Sequence, residues 1–166
     1  MTQDVYEAWT TRGFPEPGDT LFTTEAPVAG IARLPSDQTY LLTRRIIALR
    51  PKPEVDRGIL FWQMYYMGIR GIWNRVVHGS TVPRILKPDI LRQSIAVPGW
   101  NEQLLIALRL DALESRLQLE EQRRGKVISM KRGLMHDLLT GKVNVAALLE
   151  SASETHVPTT DGQEAG

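Results

Sequence analysis

NEQLLIALRLDALESRLQLEEQRRGKVISMKRGLMHDLLT, residues Asn101 to Thr140, decides the architecture of this chain. Asn101 can cap a helix whose first turn holds Glu102, where a carboxylate complements the helix dipole, and no proline follows until Pro158. The run Glu102–Thr140 therefore reads as one helix, roughly 60 Å long at about 1.5 Å per residue. One heptad frame places Leu110, Leu117 and Leu138 at a, and Ile106, Leu113 and Leu134 at d. The same frame puts Glu120, Arg124 and Lys131 at core positions mid-helix, and Gly125 and Gly133 stand where a helix prefers Ala. Such a seam is too polar to be a self-sufficient zipper, while the helix is too long to pack only on a small domain. It reads as a spacer arm anchored at both ends. Its far end is an apolar hook: Leu134, Leu138 and Leu139 keep a stripe, Gly141 can supply a left-handed cap, and Val143-Asn144-Val145 reads as extended.

Upstream the pattern is of short elements. Residues 2–12 read as a short helix with Gly13 after its end, and PEPGDT (Pro15–Thr20) as a turn. Thr20–Thr24 and Ile31–Leu34 are strand-like, with PSDQ (Pro35–Gln38) a further turn. TYLLTRRIIALR (Thr39–Arg50) is β-rich, and PKPEVDRG (Pro51–Gly58) breaks it. Gly58–Val77 reads as a helix with a broad apolar face suited to burial against a sheet. HGSTVPRILKPDILRQ (His78–Gln93) combines a short strand with a one-turn helix after Pro88, and SIAVPGW (Ser94–Trp100) adds another strand. The expected fold class is α+β: a small sheet-based domain over residues 1–100, a long helix with its hook over 101–147, and a disordered polar tail over 148–166.

The composition, 42% hydrophobic and 23% charged, is that of a soluble chain with no membrane-spanning run and no signal peptide. Absence of cysteine excludes thiolate catalysis, disulfides and Cys-zinc sites, and makes a cytoplasmic address the default. His78, His136 and His156 have no metal-ligand spacing to one another, so no metal is expected. Gly141-Lys142 is not a phosphate loop, because His136 stands in the first-glycine slot and the pair ends a helix rather than opening one. No carboxylate pair or nucleophile elbow suggests catalysis, and no cofactor is expected. The net charge of +1 is unevenly spread: residues 26–93 hold eleven Lys or Arg against four Asp or Glu. That segment is where a polyanion would bind. Arg44, Arg45, Arg50 and Lys52 surround one strand, and Arg84, Lys87 and Arg92 follow the HGST turn. Such side chains can contact phosphates or offer guanidinium forks to guanine edges. Pairing of some of them with Asp56 and Asp89 is the structural alternative.

PGDTLFTTEAPVAGIARL (Pro17–Leu34), TRRIIALRP (Thr43–Pro51), an aromatic helix, HGSTVPRI (His78–Ile85), IAVPGWNEQLLI (Ile95–Ile106), a long helix and LMHDLLTGKVNV (Leu134–Val145) follow one another in that order. This order resembles the C-terminal half of a type I restriction–modification specificity subunit, with GST-x-PRI (Gly79–Ile85), NEQ (Asn101–Gln103) and LLTGKV (Leu138–Val143) its strongest parts. The resemblance implies a target recognition domain that reads half of a split DNA sequence, and a coiled-coil-like spacer helix that packs on a second one. It implies a non-catalytic component whose partners are double-stranded DNA, methyltransferase subunits, a motor–nuclease restriction subunit, and a second specificity half-subunit or a second copy of this chain. The DNA-contacting residues expected are Arg44, Arg45, Ser80, Thr81 and Arg84; the subunit interface expected is Leu110, Leu113, Leu117, Leu134 and Leu138. Because the chain opens close to PGD-x-LFTT, the recognition domain is expected to be truncated. The alternative is a coiled-coil interaction protein without a DNA role, or a remnant without function.

Overall fold

The structure, a computed structural model, describes residues 13–35 and 40–146. The helix expected over residues 2–12, most of the PSDQ turn and the polar tail with His156 lie outside the described residues. The chain divides into two units, Met1–Leu113 and Glu114–Gly166. The α+β class holds: small antiparallel sheets, short helices and one long helix.

In the first unit, β1 (Thr20–Thr23), β2 (Ile31–Arg33) and β3 (Ile46–Leu49) form an antiparallel sheet in the order β2-β1-β3. Alternation along central β1 buries Thr20 and Phe22, and Phe22 lies opposite Ile31 on one side and Ile47 on the other. α1 (Arg57–Ile69) packs on β1 and β2, and contributes Met64 and Met67 to a core with Phe22, Trp73, Ile85 and Ile90. Trp73 sits edge-on to Phe22 at 4.9 Å between ring centroids, and its indole N–H donates to the Met64 carbonyl at 3.1 Å. A 3-10 helix (Trp73–Val76) leads into the hairpin of β4 (Val77–His78) and β5 (Arg84–Ile85), then α2 (Lys87–Leu91) with Pro88 in its first turn.

Upstream of the long helix, three sequence expectations are corrected. The helix expected over Gly58–Val77 ends at Ile69, because Gly71 adopts φ +66° and closes a Schellman motif: Ile72 N–H donates to Met67 O and Gly71 N–H to Gly68 O. Among the described residues of the β-rich run Thr39–Arg50, only Ile46–Leu49 pairs as a strand; a turn from Thr43 to Ile46, closed by Ile46 N–H donating to Thr43 O at 3.0 Å, carries Arg44 and Arg45. The strand expected at Ser94–Trp100 is absent. Both backbone groups of Ala96 are taken instead by the Gln63 side chain, whose Oε1 accepts the Ala96 N–H at 2.8 Å and whose Nε2 donates to the Ala96 carbonyl. Pro98, two residues on, lacks the N–H that a sheet ladder would need.

α3 runs from Trp100 to Leu139. It starts one residue before the expected cap, since Gln103 N–H donates to Gly99 O and Asn101 lies inside the first turn. Its first turns belong to the first unit. In the second unit the helix closes at Gly141, which takes the left-handed conformation at φ +71°, while Val143 N–H reaches back to Asp137 O at 3.1 Å. The stretch expected to be extended after it instead starts a new turn: Asn144 Oδ1 accepts the Ala146 N–H and Val145 is already helical.

Candidate nucleic-acid interface

The first unit's charges separate into those spent on holding the fold and those left for something else. PEPGDT is a turn with Gly18 at φ +83°, and it presents Asp19, 1% exposed, to two arginines. Arg50 forks onto both Asp19 oxygens (3.0 and 2.8 Å) and reaches Glu16 at 2.6 Å, while Arg57 pairs with Glu16 at 2.7 Å. At the opposite edge of the sheet Arg33 makes a two-pronged ion pair with Asp111 of α3, 2.9 Å on each arm, and lies 4.4 Å over the Phe61 ring. The Trp62 indole N–H also donates to Asp111, at 2.8 Å. Asp56, expected as a possible arginine partner, caps α1 by accepting from Gly58 and Ile59 N–H. Asp89 does pair with an arginine, Arg92, and with His78 at 2.8 Å.

These pairs predict acid sensitivity. Hydrogen bonds from Arg33 hold the Asp111 carboxyl below its ordinary 3.8, with burial opposing and Trp62 assisting. For Asp19, burial pushes upward, but the Arg50 hydrogen bond, the Glu16 N–H and the charges of Arg50 and Arg57 together outweigh it and leave the group lowered. A carboxyl whose folded value is depressed contributes stability above its unfolded pKa and loses it as pH falls through the folded one. Stability of the chain is therefore expected to be level above about pH 5 and to fall steadily below about pH 4. Urea unfolding across that range checks it, and Asp111→Asn is expected to flatten the fall; an unchanged pH profile in that variant would count against the Arg33 linkage.

Sequence reasoning named Arg44, Arg45, Ser80, Thr81 and Arg84 as DNA-contacting residues, and all five are exposed. Their elements meet at Thr24–Glu25, just past the end of β1. Thr24 donates to the Arg45 carbonyl from both its backbone N–H (2.8 Å) and its hydroxyl (3.1 Å), and the Thr24 carbonyl accepts the Ile85 N–H at 3.0 Å. Glu25 forms a β-bridge with Arg84. The Arg44-Arg45 turn and the β4–β5 hairpin are thus both tied to one short segment. Ser80 and Thr81 sit in the hairpin loop, which begins at Gly79: its φ is +84°, and a Cβ there would lie 2.8 Å from the Val82 carbonyl. Beneath, Thr23 shapes the β1–β2 loop by accepting the Gly30 N–H at 2.7 Å and donating to Pro27 O. Among the described residues Arg44 and Arg84 make no side-chain ion pair or hydrogen bond, whereas Arg45 Nε lies 3.6 Å from Glu25.

The leucines named for subunit contact divide between the units. Leu110, with Ile106, lines an apolar groove of about 700 Å³ against Trp62, Tyr65, Tyr66 and Pro98 in the first unit. Leu113 is 63% exposed, Leu117 and Leu134 are also more than half exposed, and Leu138 joins Val127, Met130 and Met135 in an apolar patch of the second unit. Sequence reasoning weighed Glu25 only as a catalytic carboxylate and rejected it as one, and passed over Asp111 and the role of Gln103. The last was within reach, since NEQ was already singled out: the Gln103 side chain is 1% exposed, accepts the Asp56 N–H at 2.8 Å and donates to Pro98 O and Glu54 O at 2.9 and 3.2 Å.

Among the described residues no group of three or more His, Cys, Asp or Glu could hold a metal ion, and no helix is long and apolar enough to cross a membrane. No family model matches the chain. It is 26% identical over 113 residues to the type I restriction enzyme MjaVIII specificity subunit of Methanocaldococcus jannaschii, a match covering 68% of this chain and 27% of that protein. It is 27% identical over 128 residues to the putative MjaX specificity subunit of the same organism, covering 76% and 29%. To the EcoDI specificity subunit of Escherichia coli it is 29% identical over 99 residues, covering 58% and 22%. The chain thus matches between a fifth and a third of the length of these relatives. An exposed basic edge on a small sheet, followed by a long helix, accompanies this likeness, and the chain carries a region similar to the specificity subunits of type I restriction enzymes.

Proposed function

We propose that the chain is a non-catalytic DNA-specificity component of a type I restriction–modification system, working in the cytoplasm. The first unit binds double-stranded DNA through the Arg44-Arg45 turn and the Ser80-Thr81 loop with Arg84. α3 serves as the spacer, and Leu110, Leu113, Leu117, Leu134 and Leu138 contact a methyltransferase subunit or a second helix; the motor–nuclease subunit joins the assembly they form. One observation carries this reading: the exposed cations Arg44 and Arg84, spared from the ion pairs that hold the fold, are tied with Arg45 to one segment in a chain similar to specificity subunits.

The test is triple substitution of Arg44, Arg45 and Arg84 by alanine, with binding to a random-sequence duplex measured across a salt series. Removing one phosphate-binding cation lowers the salt slope by about 0.9. The variant is expected to bind several-fold more weakly, with a shallower slope, while its unfolding free energy shifts by no more than about 0.5 kcal/mol per site. Unchanged DNA binding would leave the second reading, an interaction protein that assembles through its helix alone. The exposure of Leu113, Leu117 and Leu134 favours that one.

A further inference from the structure

Glu25 stands at the centre of this basic edge, where attraction to a polyanion alone would put no carboxylate. Its backbone bridges to Arg84, and its side chain, 30% exposed, approaches Arg45 at Nε, 3.6 Å from Oε2. The Arg45 backbone is independently pinned to the residue before Glu25 by the two hydrogen bonds from Thr24. Arg45 is thus fixed at its carbonyl, and the Nε edge of its guanidinium faces Glu25 at ion-pair range, just beyond hydrogen-bond distance. Its two Nη groups have no other partner among the described residues. A guanidinium whose Nε edge is drawn toward a carboxylate leaves its two Nη donors facing away from it, and two parallel donors match the O6 and N7 acceptors of guanine in the major groove. An unheld arginine would instead sample many rotamers and settle on the nearest phosphate, which carries no sequence information.

We propose that Glu25 is a positioning residue for Arg45, holding its Nε edge so that the Nη fork reads a guanine. This rests on the DNA-reading function proposed above and adds to it a residue that sets specificity without supplying positive charge.

The experiment is enrichment of bound duplexes from a randomised pool by the full chain, run in parallel for the unsubstituted protein, Glu25→Ala, Glu25→Asp and Arg45→Ala, with a melting curve for each. The unsubstituted chain is expected to enrich a motif containing a guanine that Arg45→Ala no longer selects. Glu25→Ala should lose preference at that same position by about tenfold, the discrimination expected of one bidentate contact. It should keep the other positions, and bind random duplex at least as tightly as the unsubstituted chain. Glu25→Asp should recover part of the preference. The proposal is overturned if Glu25→Ala selects the same guanine undiminished, or if it loses every position together with its melting transition, which would mark a purely structural role. If the unsubstituted chain enriches no motif, the DNA-reading function itself fails and this inference with it; that outcome is separate, because it appears before any substitution is compared.

Discussion

Trp73→Ala lowers the unfolding free energy by about 4 kcal/mol, the middle of the range for truncating a buried aromatic. Trp73 is 1% exposed, meets Phe22 edge-on, and satisfies its only polar atom on the Met64 carbonyl, so truncation removes apolar packing and a hydrogen bond together. With domain stabilities of about 5–15 kcal/mol, this is a large share of the total. A shift of roughly 15 °C or more in the melting midpoint follows for a unit of this size. The consequence reaches the basic edge, because Trp73 opens the 3-10 helix that feeds β4, and Ile85 of β5 packs in the same core. DNA binding by the variant is expected to fall along with its stability. Urea unfolding monitored by far-UV circular dichroism checks the magnitude. A loss below about 1.5 kcal/mol would mean the core closes over the gap, contrary to the close packing of protein interiors.

Gln103→Leu should cost about 3 kcal/mol although it exchanges an amide for an apolar side chain of similar size. The residue is fully buried and bonds three backbone groups: the Asp56 amide at the start of α1, the Glu54 carbonyl before it, and the Pro98 carbonyl before α3. Leucine would leave one N–H and two carbonyls without these partners, and an orphaned buried group costs about 1–3 kcal/mol. The total stays below the simple sum because a small relaxation readmits water. Hydrogen exchange adds a specific signature: the Asp56 amide should exchange much faster in the variant, while amides of β1 change only with global stability. A neutral Gln103→Leu, or an Asp56 amide that keeps its protection, would show that the start of α3 is held by packing alone.

Two kinds of information, local pattern and tertiary contact, decided this molecule. The long helix was legible locally, since a proline-free run with strong helix formers and apolar ends needs no distant partner to be recognised. So were β1, β2, the PGD turn and the left-handed Gly141, each a matter of alternation or of a backbone conformation that glycine tolerates. Arg44, Arg45 and Arg84 were legible as a group of cations, but not as neighbours. What tertiary structure alone decided is where side chains replace backbone as partners. Ser94–Trp100 alternates like a strand, yet Gln63 supplies the Ala96 N–H and carbonyl with the partners a ladder would have given. Gly58–Val77 has helical periodicity throughout, yet closing it at Gly71 lets Trp73 reach the core. Glu25 acquires its place beside Arg45 and Arg84 only because the segment after β1 bonds to the turn that carries Arg45 and to the strand that carries Arg84. The physical reason is common to all three: local pattern governs which conformations a segment can hold, whereas the partner of a given hydrogen-bonding group is settled by which distant residues the closed core brings within about 3 Å.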